Sequence, residues 1–198
     1  MSRDIGKFIV IYGPSNLGKT EQVSRLVIRL EDLLGDGVVG IKYPIYDTPT
    51  GQRINREIRF KRTMSEEELQ QEYAANRRCY EPELVGNLGN SVWVVAEDYT
   101  YTGIIWGLAH GVSHDRLIEM NEDLKEPDLA VLLDGERYTS GIERGHHFEG
   151  GGKWETARNL HLEFADSLGW EIVNANQNME KVESDIWKVV ENKFFAPK

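Results

Sequence analysis

The chain has 198 residues, a formal net charge of −10 and 40% hydrophobic content. That size suits one substantial core, and the acidic balance excludes a general nucleic-acid binder, which needs clustered Lys and Arg to meet phosphate backbones. No apolar run approaches a membrane span, and the single cysteine, Cys79, excludes an intramolecular disulfide framework and suits a reducing, cytoplasmic setting.

The opening residues, MSRDIGKFIVIYG, read as a strand leading into a motif rather than as a secretory leader. Phe8–Tyr12 is the first of five short apolar runs; Val38–Tyr43, Val92–Ala96, Leu129–Leu133 and Trp170–Val173 are the others. Such runs predict strands buried on both faces, as in a parallel sheet. Helical patterns lie between them. Lys19–Leu34 spaces Val23, Leu26, Val27, Leu30, Leu33 and Leu34 along one face, and Ser65 with Glu68 forms a capping box that opens a long helix. Lys153–Leu168 and Met179–Phe195 supply the last two. The alternation predicts an α/β fold in three layers, a five-stranded parallel sheet flanked by helices, with its ligand crevice at the strand C-termini. Residues 143–153 carry three consecutive glycines after His146 and His147 and read as a loop. Adjacent histidines point different ways and no Cys or Asp stands at ligand spacing, so a metal site is not predicted there.

The strongest chemistry follows the first strand. Gly13-Pro14-Ser15-Asn16-Leu17-Gly18-Lys19-Thr20 matches the phosphate-loop pattern, two glycines five apart followed by Lys and Thr, between a strand and a helix. Gly13 and Gly18 let the backbone wrap closely, so that N–H groups from Ser15, Asn16, Leu17 and their neighbours face phosphate oxygens. Lys19 is placed for the β- and γ-phosphates and the Thr20 hydroxyl for Mg²⁺. A nucleoside triphosphate, ATP with Mg²⁺, is the expected ligand, and a P-loop NTPase domain over residues 1–198 the expected organisation.

Further segments appear in an order that resembles the thymidylate kinase family of nucleoside monophosphate kinases. FIVIYGPSNLGKTEQ, Phe8–Gln22, is similar to its opening strand and phosphate loop. Lys42-Tyr43-Pro44 with Thr48-Pro49-Thr50-Gly51 and Asn55 resembles the segment after strand two, and Tyr73-Ala74-Ala75-Asn76-Arg77 its helical Phe-x-Ala-Asn-Arg. Glu97-Asp98-Tyr99 with Thr102-Gly103 resembles Asp-Arg-Tyr followed by a small residue and glycine; Pro127-Asp128-Leu129 and Asn174-Ala175-Asn176 complete the series.

The resemblance implies roles. Tyr73 would stack on the thymine ring, Arg77 would bond its carbonyl edge and Trp106 would close the other face. Tyr99 would crowd the sugar 2′ position, Pro44 and Gly103 would shape the acceptor site, and Glu97 would hold Mg²⁺ with Thr20. Arg144, within a lid at about 141–153, would cover the transferring phosphoryl group, and Asn174, Ala175 and Asn176 would contact adenine. The implied activity is transfer of the γ-phosphoryl group of ATP to dTMP by a homodimer. Another deoxynucleoside monophosphate or modified pyrimidine nucleotide as acceptor, and a regulatory nucleotide binder without transfer, are the alternatives.

Departures from the family pattern cluster in the acceptor site. Asp98 and Tyr46 stand where the family has phosphate-binding arginines, and Ser15 replaces the acid of the phosphate loop. Two unit charges about 4 Å apart interact by ~4 kcal/mol at an effective dielectric of ~20, so Asp98 cannot face a bound monophosphate unpaired. Three accounts stay open: Asp98 turns away to pair with a base such as Lys42 or Arg77, a second cation bridges it to the phosphate, or the acceptor is not an ordinary monophosphate. Lys42, with Arg53 as its candidate companion, is expected to take over the acceptor phosphate.

Overall fold

The computed structural model describes residues 5–61, 63–138 and 152–197. Five parallel strands form one sheet in the order β2-β3-β1-β4-β5: β1 Phe8–Tyr12, β2 Val38–Lys42, β3 Trp93–Glu97, β4 Leu129–Asp134 and β5 Glu171–Asn174. The helices are α1 Lys19–Leu34, α2 Pro49–Arg56, α3 Glu66–Gly89, α4 Thr100–Ala109, α5 His114–Glu119, α6 Lys153–Leu168 and α7 Met179–Phe194, with a π-helical turn over Glu57–Lys61.

Strand alternation divides the core into two layers. Ile9, Ile11, Val95, Val131 and Leu133 face one side, where Leu26 and Leu30 of α1 and Ile186 and Val190 of α7 cover them. Phe8, Val10, Tyr12, Val94, Ala96 and Leu132 face the other, against Leu84 and Leu88 of α3 and Ala165 of α6. The expectation of strands buried on both faces holds for β1, β3 and β4. It fails for β2 and β5, which end the sheet and keep exposed positions. At the C-terminus, Phe195 stacks on Trp93, folding the last aromatic turn back onto the strand layer.

Ser65 caps α3 with the expected reciprocal box, Glu68 N–H to Ser65 Oγ and Ser65 N–H to Glu68 Oε2. α2, α4 and α5 are not predicted from sequence. The reason is plainest in α4, TYTGIIWGLA, which is buried nearly all round and therefore shows no amphipathic stripe.

Register brings the chemistry together. Ile11 of β1 pairs with Glu97 of β3, and Glu97 pairs in turn with Lys42 of β2. The phosphate loop, Asp98 and the segment after Lys42 therefore leave the sheet side by side at its C-terminal edge.

Candidate active site

The phosphate loop turns sharply out of β1. Gly13 has φ 147°, and a Cβ there would lie 2.6 Å from the Leu133 carbonyl oxygen. Gly18, with φ 81°, turns the chain into α1. Lys19 is buried and donates to the carbonyls of Gly13 at 2.7 Å and Pro14 at 2.9 Å, so its ammonium lies across the loop that it closes. The Trp154 indole donates to the Ser15 carbonyl at 2.9 Å and ties this loop to the first turn of α6.

Thr20 and Glu97 converge on one cation. The Lys42 ammonium lies 2.9 Å from Glu97 Oε1 and donates to Thr20 Oγ1 at 2.9 Å. A hydroxyl and a carboxylate that meet an ammonium in this way form the oxygen donor set a hard divalent cation takes, so the residues fit Mg²⁺.

Lys42 is accordingly not the partner of Asp98, and neither is Arg77. Asp98 lies 3.7 Å from Lys19 Nζ and accepts from the Thr102 hydroxyl at 2.9 Å. Its backbone sits at φ 61°, which Asp tolerates, and its N–H donates to the Ile11 carbonyl. Burial raises its pKa against the opposing pull of Lys19. Arg53 does not join this group: it is exposed and paired with Glu72, at 2.9 Å through Nη2.

Beyond Lys42 a cavity of about 670 Å³ continues from the phosphate loop to an aromatic end. Lys42, Pro44, Tyr73, Arg77, Asp98, Tyr99, Gly103 and Trp106, all expected at the acceptor, border it, as do Gly13, Ser15, Asn16, Gly18, Lys19, Thr20 and Glu97. Leu17 is buried in the core behind the loop instead. Tyr73 and Trp106 belong to one apolar cluster with Ile58 of the π-helical turn and Leu69 of α3. Arg77 is buried, which lowers its pKa, and donates to Asn121 Oδ1 at 2.9 Å. A Cβ on Gly103 would lie 2.5 Å from Arg77 Nη2, so any side chain there would displace the guanidinium from this position. Tyr99 donates its hydroxyl to Glu81 at 2.8 Å, and its buried ring packs against Phe8 and Tyr43.

Asn174, Ala175 and Asn176 lie apart from the cavity lining, at the end of β5. The Ala175 N–H donates to the Asp134 carbonyl at 2.7 Å, and Asn176 Nδ2 to the Glu136 carbonyl at 2.9 Å. Arg144 and most of the 141–153 lid lie outside the described residues.

Sequence reasoning gave no site role to three contributors, of which only Asn76 stood in a quoted motif. Asn76 accepts the Ile45 N–H at 2.8 Å and donates to Ile45, Thr48 and Thr50 oxygens within 3.0 Å, clamping the loop after β2. Arg59, on the π-helical turn, adds a cation to the cavity wall. Gln70 borders the cavity too; its place three residues before Tyr73 and seven before Arg77 sets all three on one face of α3, a spacing visible in the sequence.

A parallel sheet with this switch between β1 and β3, a phosphate loop and an adjoining aromatic slot defines a P-loop nucleoside monophosphate kinase. The family model for thymidylate kinase matches residues 11–186, and the chain belongs to that family. It is 25% identical to the thymidylate kinase of Dictyostelium discoideum over 96% of this chain and 86% of that one. With the Homo sapiens thymidylate kinase it shares 27% identity over 91% of this chain and 88% of the other. Among solved structures, the thymidylate kinase of Candida albicans shares the fold with a TM-score of 0.80 at 22% identity, covering 95% of this chain and 92% of that one. That of Ehrlichia chaffeensis gives 0.76 at 16% identity, over 93% and 98%. Family membership makes the chain an ATP-dependent kinase of dTMP.

Proposed function

We propose that this chain transfers the γ-phosphoryl group of ATP to dTMP inside the cavity described, releasing dTDP and ADP. The observation that carries the reading is one continuous cavity, bordered at one end by Lys19 and Thr20 and at the other by Tyr73, Arg77 and Trp106. In this reaction class catalysis is positioning and charge neutralisation, and an acceptor that is already a phosphate anion needs no general base.

Lys19 binds the β- and γ-phosphates beside the N–H groups of Ser15 and Asn16. Thr20 and Glu97 would hold Mg²⁺, which neutralises charge on the phosphate oxygens. Lys42, freed from Glu97, turns to the acceptor phosphate, replacing the arginine lost at Asp98. Tyr73 and Trp106 sandwich the base, Arg77 bonds its carbonyl edge, and Tyr99 borders the sugar. Pro44 and Gly103 set the width of the slot. Arg144 covers the phosphoryl group from the lid, and Asn174, Ala175 and Asn176 border adenine. Family resemblance supports a homodimer. The single cysteine supports a cytoplasmic setting, and no helix of the described residues is long and apolar enough to cross a membrane.

ADP release with ATP·Mg²⁺ and a panel of dTMP, dUMP, dCMP, UMP and thymidine tests the reading. Turnover is expected with dTMP; turnover with another acceptor and none with dTMP would overturn it.

A further inference from the structure

Gln70 is 2% exposed, yet neither atom of its amide has a hydrogen-bond partner among the described residues. A buried amide left this way is costly, and its position on a cavity wall points to a partner supplied from the cavity. Two glycines one helical turn apart on α4 make its place. A Cβ on Gly107 would lie 3.2 Å from Gln70 Cγ, and one on Gly103 would lie 3.1 Å from Gln70 Oε1 and 2.5 Å from Arg77 Nη2. The Gln70 amide and the Arg77 guanidinium thus meet beside Gly103. Arg77 Nε likewise has no hydrogen-bond partner among the described residues.

We propose that Gln70, together with Arg77, reads the 3,4 edge of the acceptor's pyrimidine ring, making Gln70 a specificity-determining residue for 4-oxo pyrimidine nucleotides. The inference rests on the kinase reading above and names how its acceptor is chosen. Thymine and uracil present an N3–H donor beside an O4 acceptor. The Gln70 carbonyl accepts from N3–H while the guanidinium, which only donates, takes O4. Cytosine reverses both groups. Gln70 alone can follow by turning its amide, but Arg77 cannot accept from an amino group, so cytosine leaves a buried donor facing a donor. A site built to hydrogen-bond an edge rejects the wrong edge far more strongly than an apolar slot does.

The test uses the full chain with saturating ATP·Mg²⁺ and compares kcat/KM for dTMP and for 3-methyl-dTMP, in which a methyl group replaces the N3 proton. The wild type is expected to favour dTMP by about a hundredfold, and Gln70→Ala, which removes the acceptor and opens room for the methyl, to narrow that ratio at least about tenfold. Gln70→Met, which keeps the bulk and removes both polar atoms, is expected to lower kcat/KM for dTMP about tenfold with the KM for ATP unchanged. An equal ratio in wild type and Gln70→Ala, or full activity of Gln70→Met, would overturn the proposal. The wild type alone overturns it by turning over both nucleotides equally, whatever the variants do. Absence of dTMP turnover in the wild type would instead overturn the kinase reading and take this proposal with it.

Discussion

Lys42 Nζ bridges Thr20 Oγ1 and Glu97 Oε1 at 2.9 Å each, so this chain holds a cation of its own between the two residues that fit Mg²⁺. The bridge follows from strand register, since Lys42 and Glu97 stand opposite each other on β2 and β3. A metal ion and the ammonium compete for the same oxygens. Lys42→Met should therefore lower the Mg²⁺ concentration that gives half-maximal ADP formation. It should also raise the KM for dTMP about tenfold, through loss of a charged contact to the acceptor phosphate. Steady-state titrations of Mg²⁺ and dTMP check both; an unchanged dTMP dependence would remove Lys42 from phosphate binding.

Asn76 acts on the neighbouring loop. Its amide makes hydrogen bonds to Ile45, Thr48 and Thr50, and Thr48 in turn caps α2 through the Gly51 N–H at 3.0 Å. Asn76→Ala should cost about 2 kcal/mol through unpaired buried groups and lower Tm by about 4–8 °C. The KM for dTMP should rise with it, because Tyr43 and Pro44 border the cavity from the same loop. Calorimetry and acceptor kinetics on one preparation test the pair of effects.

His161 gives the fold an acid limit. It is buried in α6, and its Nδ1–H donates to the Ala157 carbonyl at 2.7 Å, while Nε2 has no partner among the described residues. Burial pushes its pKa down to about 3. The unfolded chain takes up this proton near the ordinary histidine value, so the stabilisation is complete above about pH 6.5 and is lost as pH falls toward about 3. The loss approaches about 1.4 kcal/mol per pH unit. His161→Leu should remove that share of the slope in Tm measured from pH 7 to pH 4; an unaltered slope would assign the acid sensitivity elsewhere.

Asp98 has the opposite sign. Its pKa is raised, chiefly by burial, so its contribution favours the fold at low pH and is lost as pH rises through the folded value. Asp98→Asn should raise Tm at pH 7, with the gain fading in acid. A fall in Tm at pH 7 would mean that the contact with Lys19, at 3.7 Å, outweighs the cost of burying the charge.

Much of this was legible in the sequence, for identifiable reasons. Phe8–Tyr12 and Lys19–Leu34 are found at the expected residues because each has one clear pattern, an unbroken apolar run or an amphipathic stripe. α4 was hidden because burial on all sides erases periodicity. Asp98 could be recognised as a misfit charge, but its partner could not be read. Lys19 is distant in sequence, and only the pairing of β1 with β3 brings the two together. Gln70 was missed for another reason: its spacing puts it on the face of Tyr73 and Arg77, but a glutamine there marks no site until its amide is found buried without hydrogen-bond partners among the described residues.

The central claim is phosphoryl transfer to dTMP, and the most direct measurement follows the γ-phosphoryl label of ATP in the presence of Mg²⁺ and dTMP. The account predicts label in dTDP, in equal amount to the ADP formed, and loss of that transfer in Lys19→Met by about a hundredfold or more with the fold intact. ATP bound to the folded wild type, with no label passing to dTMP, would contradict it.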